Sequence, residues 1–225
     1  WNQIMTLPRR LTLAADDVLR MEPAGDIESL RYDHRRIEGM DLLTNQETVL
    51  DGIAGTAMEL NLEIDPENAP MVELTVLRSP NREEHTRIAF FKDRGFRVQH
   101  PSVQPGAVLA SGDPVVSRHG QPRPTQLHAS LLTLDTSYSS TLSDALSRAP
   151  ETAPLVLEPG EPLRLRVFLD RSVVEVFANG KQCVAARVYP GREDSTGISM
   201  RAQGNSAKLV SLDAWQMKDI YAKEA

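Results

Sequence analysis

Residues 163–192 read LRLRVFLDRSVVEVFANGKQCVAARVYPGR, and their spacing decides the fold class. Leu163, Leu165, Val167 and Leu169 alternate with Arg164, Arg166, Phe168 and Asp170, the period-two signature of a strand with one buried face. Val174, Val176 and Ala178 then alternate with Val173, Glu175 and Phe177, which predicts a second strand after a turn at Asp170-Arg171-Ser172. Asn179-Gly180 follows, a pair that tolerates positive φ and suits a type I′ turn, so 182–189 reads as the returning strand.

The same pattern recurs on both sides. Met58, Leu60, Leu62 and Ile64 alternate with Glu59, Asn61, Glu63 and Asp65, predicting a strand with one wet face. Met71–Arg78 is another strand, and 87–92 and 96–100 are expected to form a hairpin across Asp93-Arg94-Gly95. Residues 101–126, rich in Pro and Gly, read as a long connection with a short strand at 108–110. Strands resume at 127–134, and a Ser-rich loop at 137–147 has room for one helical turn at 142–146. Strands at 198–203 and 208–217 close the domain, with Val210, Leu212 and Ala214 expected inward and Trp215 on the other face. Near the N-terminus, Pro8 holds Leu7 extended, and Asp26 is placed to cap a short helix over 26–32. Short strands punctuated by turn residues imply an all-β, antiparallel β-sandwich, jelly-roll-like with two packed sheets, behind an N-terminal extended linker.

With 225 residues, the chain buries about 70% of its unfolded surface, enough for one core without staples. Its 31 acidic against 25 basic residues give a net charge of −6, which speaks against nucleic acid as a partner. Cys183 is the single cysteine, so no internal disulfide forms, and its strand position reads as a small buried hydrophobe. No run approaches the ~20 apolar residues of a membrane helix, so no membrane partner is expected.

The run DRSVVEVFANG, the preceding RAP and LRLRVF, the closing AKLVSLDAWQMKDIY and the opening WNQIMTLPRRLTL resemble, in order, the C-terminal module of glycoside hydrolase family 32. That family holds invertases, inulinases and levanases. The resemblance implies that 1–33 is the end of a catalytic propeller plus linker and that 34–225 is the C-terminal β-sandwich. The implied partner is an N-terminal five-bladed propeller, with a fructoside substrate reached only through it and a homodimer formed through the sandwich. Without that propeller, Trp1, Ile4, Leu7, Leu11, Ile27 and Leu30 should form an apolar patch that either packs back onto the sandwich or engages a second copy of the chain. A free-standing carbohydrate-binding module is the alternative, and a complete enzyme with its own carboxylate pair is a third reading.

A glycosidase needs two carboxyl groups roughly 5 to 10 Å apart, one of them an acid. The family carries its pair on the propeller, in motifs resembling W-M-N-D-P-N-G and E-C, with R-D-P stabilising the transition state. None occurs here: Gly112-Asp113-Pro114 lacks the arginine, and Gln182 rather than glutamate precedes Cys183. No catalytic, cofactor-binding or metal residue is therefore assigned. Asp170 and Glu175 are the tempting carboxylates, but Asp170 is expected to cap its turn and Glu175 to pair with an arginine on the exposed sheet face. His34, His85, His100, His119 and His128 never fall within a helical turn of one another, so no metal pair is read from them. Phe90, Phe91, Phe96, Phe168 and Phe177 read as core, while Trp1 and Trp215 are candidates for sugar stacking or, preferably, packing at a domain interface.

Overall fold

An alternating chain hides its apolar side only by pairing edge to edge and then packing face to face, and the period-two stretches do both. The computed structural model describes residues 4–15, 18–99, 125–146 and 148–220. In chain order they form β1 (Arg9–Leu13), β2 (Leu19–Pro23), one turn of 3₁₀ helix (Ile27–Leu30), β3 (Arg31–Leu42), β4 (Glu47–Ala54) and β5 (Ala57–Asp65). There follow β6 (Met71–Arg78), β7 (Thr86–Gln99), β8 (Thr125–Asp135), β9 (Glu151–Leu155) and β10 (Leu163–Asp170). The last are β11 (Val173–Ala178), β12 (Gln182–Arg187), β13 (Gly197–Gln203) and β14 (Ala207–Met217).

Strands β1 and β2 make a separate hairpin; sheet I runs β12-β11-β10-β5-β14-β3 and sheet II β4-β13-β6-β7-β8-β9. The strand pairs are antiparallel, and the two sheets pack as a sandwich. Leu60, Leu62, Val167, Val176 and Leu212 of sheet I meet Leu74, Ile88, Phe90, Leu132 and Met200 of sheet II in one continuous core. Each such side chain contributes roughly 1.5–3 kcal/mol by leaving water. No helix among the described residues is long and apolar enough to cross a membrane.

Several expectations are corrected. The hairpin across Asp93-Arg94-Gly95 is instead a bulge within one strand, β7: Phe91 faces Leu131 and Gly95 faces Ala129, so β7 advances four residues while β8 advances two. Asp93 takes φ 51°, its N–H donates to Ser130 Oγ at 3.1 Å, and a Cβ on Gly95 would clash with Leu131. In β14 a bulge between Leu209 and Ser211 shifts the pattern, burying Leu209 and leaving Val210 37% exposed. The helix over 26–32 shrinks to the 3₁₀ turn, and the Asp26 side chain makes no capping hydrogen bond. Strand β3 went unread, because Asp33, His34, Arg35 and Arg36 give it no apolar period. The strand at 108–110 and residues Trp1, His100 and His119 lie outside the described residues.

Candidate docking site on the outer face of sheet I

Pairing register sets out the site. On the face of sheet I that points away from the core, Glu175 of β11 stands opposite Phe168 of β10. Phe168 stands opposite Glu59 of β5, and Glu59 opposite Trp215 of β14. This row of acid, ring, acid, ring crosses four strands. The next row places Phe177 beside Arg166, then Asn61 and Asp213. A sheet face exposed to water would leave both glutamates solvated, yet Glu59 is 0% and Glu175 is 2% exposed. The N-terminal segment covers them.

Glu175 accepts the Leu7 N–H at 3.0 Å and the Arg9 guanidinium at 2.8 Å. Glu59 is held by both arms of Arg31, Nε at 2.8 Å and Nη2 at 2.6 Å, and by Arg166 Nε at 2.7 Å. Arg166 also reaches Glu28 at 2.8 Å. Such pairing is what a buried carboxylate requires, and removing one partner of a buried pair destabilises by roughly 3–5 kcal/mol. The hydrogen bond to Glu59 raises the Arg31 pKa against the opposing effect of burial. Between the acids lies an apolar patch in which Ile27, Phe168 and Phe177 are buried and Leu7, Cys183 and Met217 pack around them. The two phenyl rings meet edge to face at 6.1 Å. Arg31 lies 4.2 Å over the Trp215 ring, whose other neighbour, His34, stacks at 4.9 Å and bonds Asp213 at 2.7 Å. One backbone tie completes the attachment: Met21 N–H donates to Gly180 O at 2.7 Å.

The turn receiving that bond forms as its sequence predicts. Asn179 and Gly180 have φ 51° and 62°, and Asn179 Oδ1 accepts the Arg164 N–H at 3.0 Å while Nδ2 donates to Pro162 O at 2.9 Å. Burial pushes the Cys183 thiol up to about 12, so it stays protonated in its patch. Glu175 is thus neither exposed nor paired within the sheet, a correction to its expected place; its partner arrives from a strand more than 160 residues earlier. Asp170 is exposed and does not cap its turn; the turn is held by Arg171 N–H donating to Thr56 O at 2.6 Å. The two glutamates sit two strand spacings apart, roughly 10 Å, but with arginines on both and 0% and 2% exposure they offer no substrate-accessible acid.

A second buried carboxylate system lies at the seam between the sheets. Glu84, 0% exposed, accepts from Thr141 N, Thr141 Oγ1, Gly191 N, Arg192 N and Ser195 Oγ at 2.6–3.0 Å. It fastens the β8–β9 connection to the β12–β13 loop, and these two segments wall a cleft of about 1310 Å³ lined by Ser137, Ser140, Arg187 and Tyr189. Burial pushes the Glu84 pKa up, but the hydrogen bonds outweigh it and bring it to about 2. His85 stacks on Tyr138 at 5.4 Å, and His128 lies in β8. No group of three or more potential metal ligands is gathered among the described residues. Sequence reasoning missed Glu59, Glu84, Arg9 and Arg31; the usable signal for Glu59 was its register opposite Phe168, an aromatic residue on a face otherwise read as wet.

Residues 26–216 match the family described as "Glycosyl hydrolases family 32 C terminal". The chain is 26% identical to a levanase of Bacillus subtilis over 227 residues, covering 98% of this chain and 28% of the levanase. It is 33% identical over 253 residues to an insoluble-isoenzyme β-fructofuranosidase of Arabidopsis thaliana, covering 97% of this chain and 39% of that protein. Among solved structures, fructan 1-exohydrolase IIa from Cichorium intybus superposes with TM-score 0.72 at 19% identity, over 95% of this chain and 41% of that one. Exo-inulinase from Aspergillus awamori gives TM-score 0.65 at 16% identity, over 95% and 36%. At these identities the structures speak to the fold alone, and the chain spans 28% to 41% of the length of these relatives.

Proposed function

Because this chain belongs to the glycosyl hydrolase family 32 C-terminal family, we propose that it is the accessory β-sandwich of an enzyme that hydrolyses fructosides of the sucrose or fructan class. In this reading 1–33 is the end of the catalytic propeller and its linker, 34–225 is the sandwich, and the sandwich stabilises the propeller. Fructoside meets the enzyme only through the catalytic part.

The observation that carries the reading is the β1–β2 hairpin. An isolated two-stranded sheet is marginal in water and needs a face to pack on. One part of the segment packs back, since Leu7 and Ile27 join Phe168 and Phe177. Along the hairpin itself, Leu11 pairs with Met21 and Leu13 with Leu19, so these side chains share a face, and Leu11, Leu13 and Leu19 are 59%, 67% and 47% exposed. That leucine face suits burial against a further sheet, and relatives about three times longer than this chain have the residues to supply one. Names among the relatives, levanase and β-fructofuranosidase, supply the substrate class.

The test is mixing. The catalytic part of the same enzyme, prepared separately, should melt higher when this chain is added in excess, because a ligand that binds only the folded state stabilises it by about 2.7 kcal/mol at a hundredfold over Kd. Fructose release from sucrose, inulin and levan should persist longer at elevated temperature. Unchanged melting and unchanged thermal inactivation across a concentration series would remove the accessory role.

A further inference from the structure

We infer that the outer face of sheet I is a charge-keyed receptor for the β1–β2 hairpin, with Glu175 reading Arg9. The proposed function bears only on what that hairpin leads to; the key and its test stand on this chain alone.

The face has three properties of a specific interface and not of an ordinary sheet surface. Its centre is apolar and dry, made by Phe168, Phe177 and the incoming Ile27. Its two acids flank that centre in one cross-strand row, and both are withdrawn from water. Glu175 receives its arginine, Arg9, from the hairpin at 2.8 Å, whereas Glu59 is satisfied within sheet I by Arg31 of β3 and Arg166 of β10. The hairpin joins the sandwich through the Met21–Gly180 backbone hydrogen bond and the Leu7 N–H on Glu175, and its charged contact is the Arg9 side chain. Side-chain chemistry therefore selects the occupant. A hairpin without Arg9 would leave the Glu175 carboxylate buried without its cation, a cost that counts against such an occupant. A contrasting pair on the same face, Arg164 with Glu63 at 2.9 Å, is 56% and 35% exposed and is not part of the key.

The two partners of the Arg9–Glu175 pair are unequal, which gives a signed expectation. Arg9 is 30% exposed and can turn to water if Glu175 loses its charge, whereas Glu175, 2% exposed, has nowhere to go if Arg9 is removed. Arg9→Gln should therefore release the hairpin more than Glu175→Gln does.

A double-mutant cycle on the full chain tests this. Attachment is read by trypsin cleavage after Arg10 and Arg20 and by amide exchange at Leu7 and Met21; exchange at Leu212 in β14 reports the sandwich itself. We expect roughly tenfold faster release for Glu175→Gln, roughly hundredfold for Arg9→Gln, and a double variant milder than Arg9→Gln alone. Leu212 should be unchanged throughout, and Glu63→Gln should cleave as the parent does. Additive effects of the two substitutions, equal release by Glu63→Gln, or acceleration at Leu212 matching that at Met21 would each overturn the key.

Discussion

Replacing Glu84 by glutamine isolates what one buried carboxylate does for this fold. The five donors reach both of its oxygens, three on Oε1 and two on Oε2. A glutamine keeping its oxygen at the Oε1 position retains the Thr141 and Gly191 bonds, and Ser195 can rotate to accept from the new amide. The Arg192 N–H, 3.0 Å from Oε2, then faces another donor. One buried unpaired N–H, together with the weakening of the remaining bonds once the charge is gone, costs about 3 kcal/mol. Linkage gives a similar figure: a carboxyl at 4.5 unfolded and about 2 folded contributes about 3 kcal/mol while ionised. For a chain of this length that is a drop in Tm of roughly 6–12 °C.

The sign with pH follows. A depressed folded-state pKa means the contribution is complete above 4.5 and is lost as the pH falls toward 2. The melting gap between Glu84→Gln and the parent should be widest near neutrality and narrow steadily in acid. Calorimetry of both proteins across that window, with β8–β9 loop proteolysis as a local probe, is the assay. A variant melting within about 1 °C of the parent at neutral pH, or a gap that does not change on acidification, would refute the reasoning.

Three further outcomes are expected. Gly180→Val should lower stability by roughly 1–2 kcal/mol through positive φ alone, since no atom lies within 4 Å of the added Cβ; thermal melting checks it. The thiol of Cys183, raised to about 12, should react with a thiol reagent only upon unfolding, so that labelling in native buffer stays far slower than in denaturant. The chain alone should release no fructose from sucrose, inulin or levan; turnover that vanishes in Asp170→Asn or Glu175→Gln would revive the reading of a complete enzyme.

What the sequence revealed and withheld divides along physical lines. Local pairing was legible: the 163–187 meander and the Asn179-Gly180 turn depend on period-two spacing and on φ tolerance, both written in adjacent residues. Bulges were not, because nothing in Asp93-Arg94-Gly95 distinguishes a reversal from two extra residues in a continuing strand; the decision rests on Leu131 and Ser130 across the ladder. The burial of Glu59 and Glu175 was equally hidden. A glutamate alternating with leucine reads as solvated, and only a covering segment contributed from far away in the chain turns that position into an interior one. Glu84 carried no pattern at all, since its donors come from two loops that meet through the fold.

Strand β3, the outermost member of sheet I, has a bearing on how copies of this chain could associate. Its Asp33, His34, Arg35, Arg36, Glu38 and Asp41 crowd a free edge with charges of both signs, and Arg36 is already tied to Asp213 at 2.7 Å. A neighbour aligning its own β3 there would strip water from guanidinium and carboxylate groups alike, a means by which natural sheets resist lateral growth. At one edge of sheet II, Pro154 in β9 withholds a donor to similar effect. Two copies of this sandwich are accordingly disfavoured from joining edge to edge across β3 or β9 into one continuous sheet.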